Sequence, residues 1–140
     1  MFRYGKTSQA AISAMSYLAQ HAKDDDFKAN SATIAAARNL SRPLVAKLLT
    51  MLAQAGLVKG QPGPNGGYTI AKAAKDICLR DVVVIFERIE PEPQCPFGPG
   101  WCGVGDPCPL HNAIIAQNAQ YEHFLKKITF DSFIEKGPKS

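Results

Sequence analysis

Hydrophobic positions recur along this chain with helical spacing and are interrupted twice. Residues 8–20 place Ala11, Ile12, Met15, Leu18 and Ala19 at the i, i+3, i+4, i+7 positions of an amphipathic helix, with Ser8 positioned to cap it. The charged run H-A-K-D-D-D-F-K-A-N breaks the pattern, and Asp24, Asp25 and Asp26 read as a solvated turn. A short Ala-rich helix is predicted from Ser31, ended by Asn39, with Leu40 turned inward. Ser41 then caps a further helix. Pro43 falls in its first turn, where a missing N–H costs nothing, and L-V-A-K-L-L-T-M-L-A-Q-A continues until Gly56 stops it. Two helices joined by three or four residues form a helix-turn-helix unit.

The first interruption is a hairpin. Leu57-Val58 and Tyr68-Thr69-Ile70 are β-prone, and the six residues Pro62 to Gly67 hold dense turn chemistry, P-G-P-N-G-G. A helix-turn-helix followed directly by a hairpin is a winged helix. Its second helix enters the DNA major groove, and its hairpin reaches the neighbouring backbone or minor groove. The candidate DNA contacts are therefore Ser41, Arg42 and Lys47 on the reading helix, with Lys59, Gln61, Gly63 and Asn65 on the wing. The N-terminal amides of the reading helix offer a further place for a phosphate.

Residues 77–89 read as a strand from their β-branched run. They read better as a helix, because Arg80, Asp81, Glu87 and Arg88 fall on one side and Leu79, Val82, Val83, Phe86 and Ile89 on the other. Cys78, among apolar neighbours, reads as a small buried hydrophobe rather than a ligand. Beyond the second interruption, Pro109 opens a helix of about five turns that runs to Ile128 with Leu110, Ile114, Tyr121, Phe124, Leu125 and Ile128 as its apolar positions. No other element of the chain is expected to cover that face, so the same helix of a second subunit is the economical partner. T-F-D-S-F-I-E-K adds one short helix. The fold class expected is mainly α with a small β-hairpin. A winged helix-turn-helix spans residues 1–90, a Cys-rich loop 91–108, and a dimerisation helix and tail 109–140.

Composition sharpens this picture without changing it. At 140 residues, 46% hydrophobic and 20% charged, the chain suits one soluble domain. No apolar run is long enough to span a bilayer, and the N-terminus lacks the apolar segment of a secretory signal, so a cytoplasmic protein without membrane partners is expected. Charge is uneven: residues 1–77 carry ten Lys/Arg against four Asp/Glu, and residues 78–140 carry six against eight. The basic half coincides with the predicted DNA-reading unit. No nucleophile with an acid and a base, and no phosphate-binding Gly loop before a helix, points to an enzyme.

The second interruption carries the other chemistry. It reads C-P-F-G-P-G-W-C-G-V-G-D-P-C-P-L-H, with Cys95, Cys102, Cys108 and His111 as candidate ligands. Gly and Pro exclude helix and interior strand and let backbone fold around an ion. Thiolates and a neutral imidazole suit an iron-sulfur cluster or a tetrahedral zinc. In a reducing compartment such clustering favours ligands over a structural disulfide, and a thiol switch is the metal-free alternative. His21 and His123 lie on helical patterns away from the loop and read as surface residues. A small electron carrier is the competing class of function, but it has no use for a reading helix.

Taken together, L-A-Q-A-G-L-V-K-G, P-G-P-N-G-G-Y-T-I, the three-Cys loop and L-K-K-I-T-F-D-S-F resemble the Rrf-two (Rrf2) family of bacterial transcription regulators across nearly the whole chain. They resemble in particular its iron-sulfur branch of IscR, NsrR and RirA. The resemblance implies a homodimer that binds a roughly palindromic double-stranded operator and a cluster that alters its DNA affinity. It implies ligation by Cys95, Cys102 and Cys108, with His111 matching the His of the IscR-like pattern, hence 2Fe-2S in preference to 4Fe-4S. The first Cys spacing is one residue longer than in that pattern. Pro62 stands where many members carry a wing Arg. Gln9, a poor iron ligand, stands where other members donate a ligand from the first helix of the second subunit.

Overall fold

The structure, a computed structural model, describes residues 4–87 and 106–134. Its centre is α1, Lys6–Gln20, which buries Ala10, Ala11, Ala14, Met15, Leu18 and Ala19 against every other helical layer of the winged module. Ser8 is not its cap. The helix starts earlier, at an N-cap of Gly5, and Ser8 lies fully buried in its first turn. The capping acceptor comes from far along the chain: Glu87 Oε1 accepts the Gly5 N–H at 2.6 Å and the Ser8 hydroxyl at 2.7 Å. A carboxylate at this end also meets the positive pole of the helix.

The helix-turn-helix follows the local signals closely. In α2, Ser31–Arg38, Asn30 Oδ1 accepts the Thr33 N–H at 2.9 Å, and Asn39 ends the helix in the left-handed region at φ 53°. Arg38 ties α2 to α1, donating to Gln20 Oε1 at 2.5 Å and lying 5.1 Å over the Tyr17 ring. After a three-residue turn, α3 spans Arg42–Gln54, with Pro43 in its first turn and the Ser41 hydroxyl accepting the Leu44 N–H at 3.4 Å. Gly56 follows it at φ 80°.

The wing is an antiparallel pair, β1 Val58–Gln61 and β2 Gly67–Ile70, in the register Val58↔Ile70 to Gln61↔Gly67. A third strand of a single residue anchors it: Ala29 and Tyr68 exchange backbone hydrogen bonds of 3.1 and 2.7 Å.

Residues 79–86 are helical, as the one-sided charge pattern indicates. This is α4, Leu79–Phe86, which buries Leu79, Val82 and Val83. Cys78 is half-buried rather than buried. It occupies the N-cap of α4, where Asp81 Oδ2 accepts its N–H at 2.9 Å. The last described helix, α5, spans His111–Lys127.

One expectation about α5 needs correction, because α4 covers part of it. Arg80 Nε meets Glu122 Oε2 at 2.9 Å, Leu125 is fully buried, and the chain beyond α5 is stitched to the start of α4 by Leu79 N–H to Ile128 O and Phe130 N–H to Ile77 O. The 3-10 turn Phe130–Phe133 then packs on α1, with Phe130 buried. The rest of α5 stays uncovered: Leu110, Ile115 and Phe124 are 38%, 44% and 44% exposed. Among the described residues no helix is long and apolar enough to cross a membrane.

Candidate nucleic-acid interface and metal centre

Packing decides which face of α3 is free. Val45, Leu48, Leu49 and Leu52 are fully buried, which turns Arg42, Ala46, Lys47 and Thr50 to solvent at the i, i+4, i+5, i+8 positions of one stripe. Ser41 and Pro43 are exposed at its N-terminal end. The structure thus brings Ser41, Arg42 and Lys47 onto one surface and adds Ala46 and Thr50, which the reading by charge missed. Their signal in the sequence is the four-residue spacing from Arg42. Thr50 Oγ1 donates to Ala46 O at 3.1 Å, which presents the Thr50 methyl group outward with a fixed hydroxyl. Small methyl-bearing side chains of this kind suit contact with a thymine methyl in the major groove. The N-terminal amides hold less for a phosphate than expected, since Pro43 has none and that of Leu44 goes to Ser41.

On the wing, Lys59 and Gln61 lie on β1, and Gly63 and Asn65 lie in the exposed tip, where the Gly66 N–H closes a turn onto Gly63 O at 3.0 Å. Two glycines are conformationally required. Gly63 sits at φ 107°, and Gly67 combines φ 153° with a backbone so close that a Cβ would lie 2.8 Å from Ala29. None of Arg42, Lys47 and Lys59 is in an ion pair among the described residues. An electropositive surface with no internal counterion is suited to a polyanion.

The candidate metal ligands are divided by the description. Cys95 and Cys102 lie outside the described residues. Cys108 is buried, 8% exposed, and its carbonyl accepts the N–H of His111 at 3.0 Å, so thiol and imidazole issue from a single turn that opens α5. Among the described residues no three His, Cys, Asp or Glu side chains gather into an ion site. A site built on Cys108 and His111 therefore needs donors from residues 88–105. The donor types fit: one buried thiol and one half-buried imidazole are the soft and borderline ligands of iron-sulfur and zinc chemistry.

Cys78 does not join them. It pairs with Thr129 just past the end of α5, whereas Cys108 precedes its start, and a 17-residue helix separates the two by about 25 Å. Gln9 is exposed and its amide donates to Tyr4 O at 3.1 Å. His21 stacks on Phe27 with ring centroids 4.0 Å apart, and His123 is exposed.

Comparison with known proteins agrees with this architecture. Residues 4–136 match the Rrf2 family, described as iron-dependent transcriptional regulators. An HTH-type transcriptional regulator of Aquifex aeolicus is 28% identical over 133 residues, covering 94% of this chain and 90% of the relative. The solved structure of T. potens IscR aligns with a TM-score of 0.73 at 25% identity, over 94% of this chain and 85% of that one. CymR, the global cysteine regulator of B. subtilis, shares the fold with a TM-score of 0.79 at 22% identity, over 96% and 97% of the two chains. With a winged helix that exposes a basic reading face, and a family match over nearly its whole length, the chain belongs to the Rrf2 family of transcriptional regulators.

Proposed function

We propose that this regulator works as a homodimer on a roughly palindromic double-stranded operator, and that an iron-sulfur cluster sets its operator affinity. The observation that carries the reading is the position of Cys108 and His111 on the turn that opens α5, at the end of the segment bearing Cys95 and Cys102. Three thiols and one imidazole are a donor set for 2Fe-2S, the preferred form, or for 4Fe-4S through the thiolates alone. The family's description as iron-dependent and the likeness to IscR support iron over zinc. Bound there, a cluster supplies a redox-active centre whose state depends on exposure and on the groups around it.

The chain's own residues do the rest. Ser41, Arg42 and Lys47 read the major groove, and Lys59, Gln61, Gly63 and Asn65 hold the flanking backbone or minor groove. The winged module, residues 1–90, meets the dimerisation element, residues 109–140, through the ligand-bearing loop 91–108. Ligation fixes that junction and with it the separation of two α3 helices, which must match half-sites about 34–36 Å apart.

Anaerobically purified protein is expected to be coloured, with iron and sulfide in equal amounts. Operator affinity at fixed salt is expected to differ between this protein and a Cys102→Ala variant by on the order of tenfold, a usual size for coupling between sites. Equal affinities would remove the sensing role. Colourless protein with stoichiometric zinc would replace the sensor with a static staple, and metal-free protein whose affinity follows thiol oxidation would replace it with a disulfide switch.

A further inference from the structure

Behind the wing lies a groove of about 860 Å3 that shares only Lys59 and Gln61 with the operator contacts above. Five lysines line it, Lys23, Lys28, Lys59, Lys72 and Lys75, all exposed and none in an ion pair among the described residues. Three carboxylates share the groove, but two are engaged locally: Asp24 accepts the Asp26 N–H at 3.1 Å, and Asp131 takes the Thr129 hydroxyl.

The sheet register orders two of these lysines. Lys59 stands opposite Thr69 on one side of β2, and Lys28 immediately precedes Ala29, which stands opposite Tyr68 on the other side. The two lysines therefore stand on the segments that flank β2, about 10 Å apart at two strand spacings. Like charges that close repel, and an anion between them relieves the repulsion.

We infer that Lys28 and Lys59 clamp DNA phosphates across β2, with Lys72 and Lys75 extending the contact along the groove. The inference rests on the DNA-binding reading above. Duplex DNA is preferred to a small anion because Lys59 and Gln61 continue along β1 to the exposed tip, so that the basic groove runs on into the polar wing.

The test is the salt dependence of duplex binding by the full chain. For Lys28→Ala the slope of log affinity against log salt is expected to shrink by about 0.9, equally on selected and random duplexes, and Lys28→Arg is expected to restore it. An unchanged slope for Lys28→Ala beside normal wild-type binding overturns the clamp and leaves the DNA-binding reading intact. Millimolar inorganic phosphate that shifts the Lys28 resonances while the Lys28→Ala slope stays unchanged also overturns it, in favour of a small-anion site. Wild-type protein that retains no duplex at low salt overturns both.

Discussion

Glu87 is separated from Ser8 by 79 positions, yet its carboxylate satisfies a fully buried hydroxyl and the cap of the central helix together. Removing an acceptor from buried donors costs about 1–3 kcal/mol. Glu87→Ala should therefore lower the unfolding free energy from urea titration by that amount, and Glu87→Gln, which keeps an acceptor oxygen, should lower it less. The turn between α2 and α3 depends on a different property. Asn39 holds φ 53°, which costs a β-branched residue about 1–2 kcal/mol and glycine nothing. Asn39→Val is expected to lower the thermal midpoint and Asn39→Gly to leave it nearly unchanged. Both effects concern stability of the reading unit rather than its contacts with DNA.

At the scale of elements, the wing is a two-stranded ribbon that would be marginal alone and gains its footing from Ala29. Gly67 makes that pairing possible by bringing its bare backbone against Ala29. Gly67→Ala should unseat the wing, weakening duplex binding while the helical dichroism is largely kept. The junction of α4 with α5 is held by Leu125, which is fully buried. Leu125→Ala should cost about 2–5 kcal/mol in denaturant unfolding, the range for truncating a core leucine. Helix boundaries around the turn were readable because caps are local: Ser41, Pro43, Asn39 and Gly56 act within one turn of their own positions. The third strand was not readable, because one residue has no periodicity.

At the scale of the whole molecule, α5 buries its end against α4 but leaves Leu110, Ile115 and Phe124 open. On the dimer reading these side chains meet their copies, and a charge there would be buried without a partner. Ile115→Glu is expected to sediment as a monomer and to lose operator binding, with the monomer's near-ultraviolet dichroism preserved. A dimer that persists in this variant would place the interface elsewhere. The candidate site was only partly open to sequence reading for the same reason of scale. The reading-helix cations, Arg42 and Lys47, sit five residues apart and can be found by counting. The groove lysines stand at positions 23, 28, 59, 72 and 75, and nothing local relates them.

By itself the sequence determined the helix-turn-helix, the hairpin and the helical nature of α4. Each of these rests on spacing, capping or turn chemistry within a few residues. Tertiary structure alone decided what caps α1, what anchors the wing, how far α4 shields α5, that Cys78 stands a helix length away from Cys108, and that scattered lysines share a groove. These depend on contacts between residues distant in sequence, which form when buried apolar surface draws the elements together, and no local pattern encodes them.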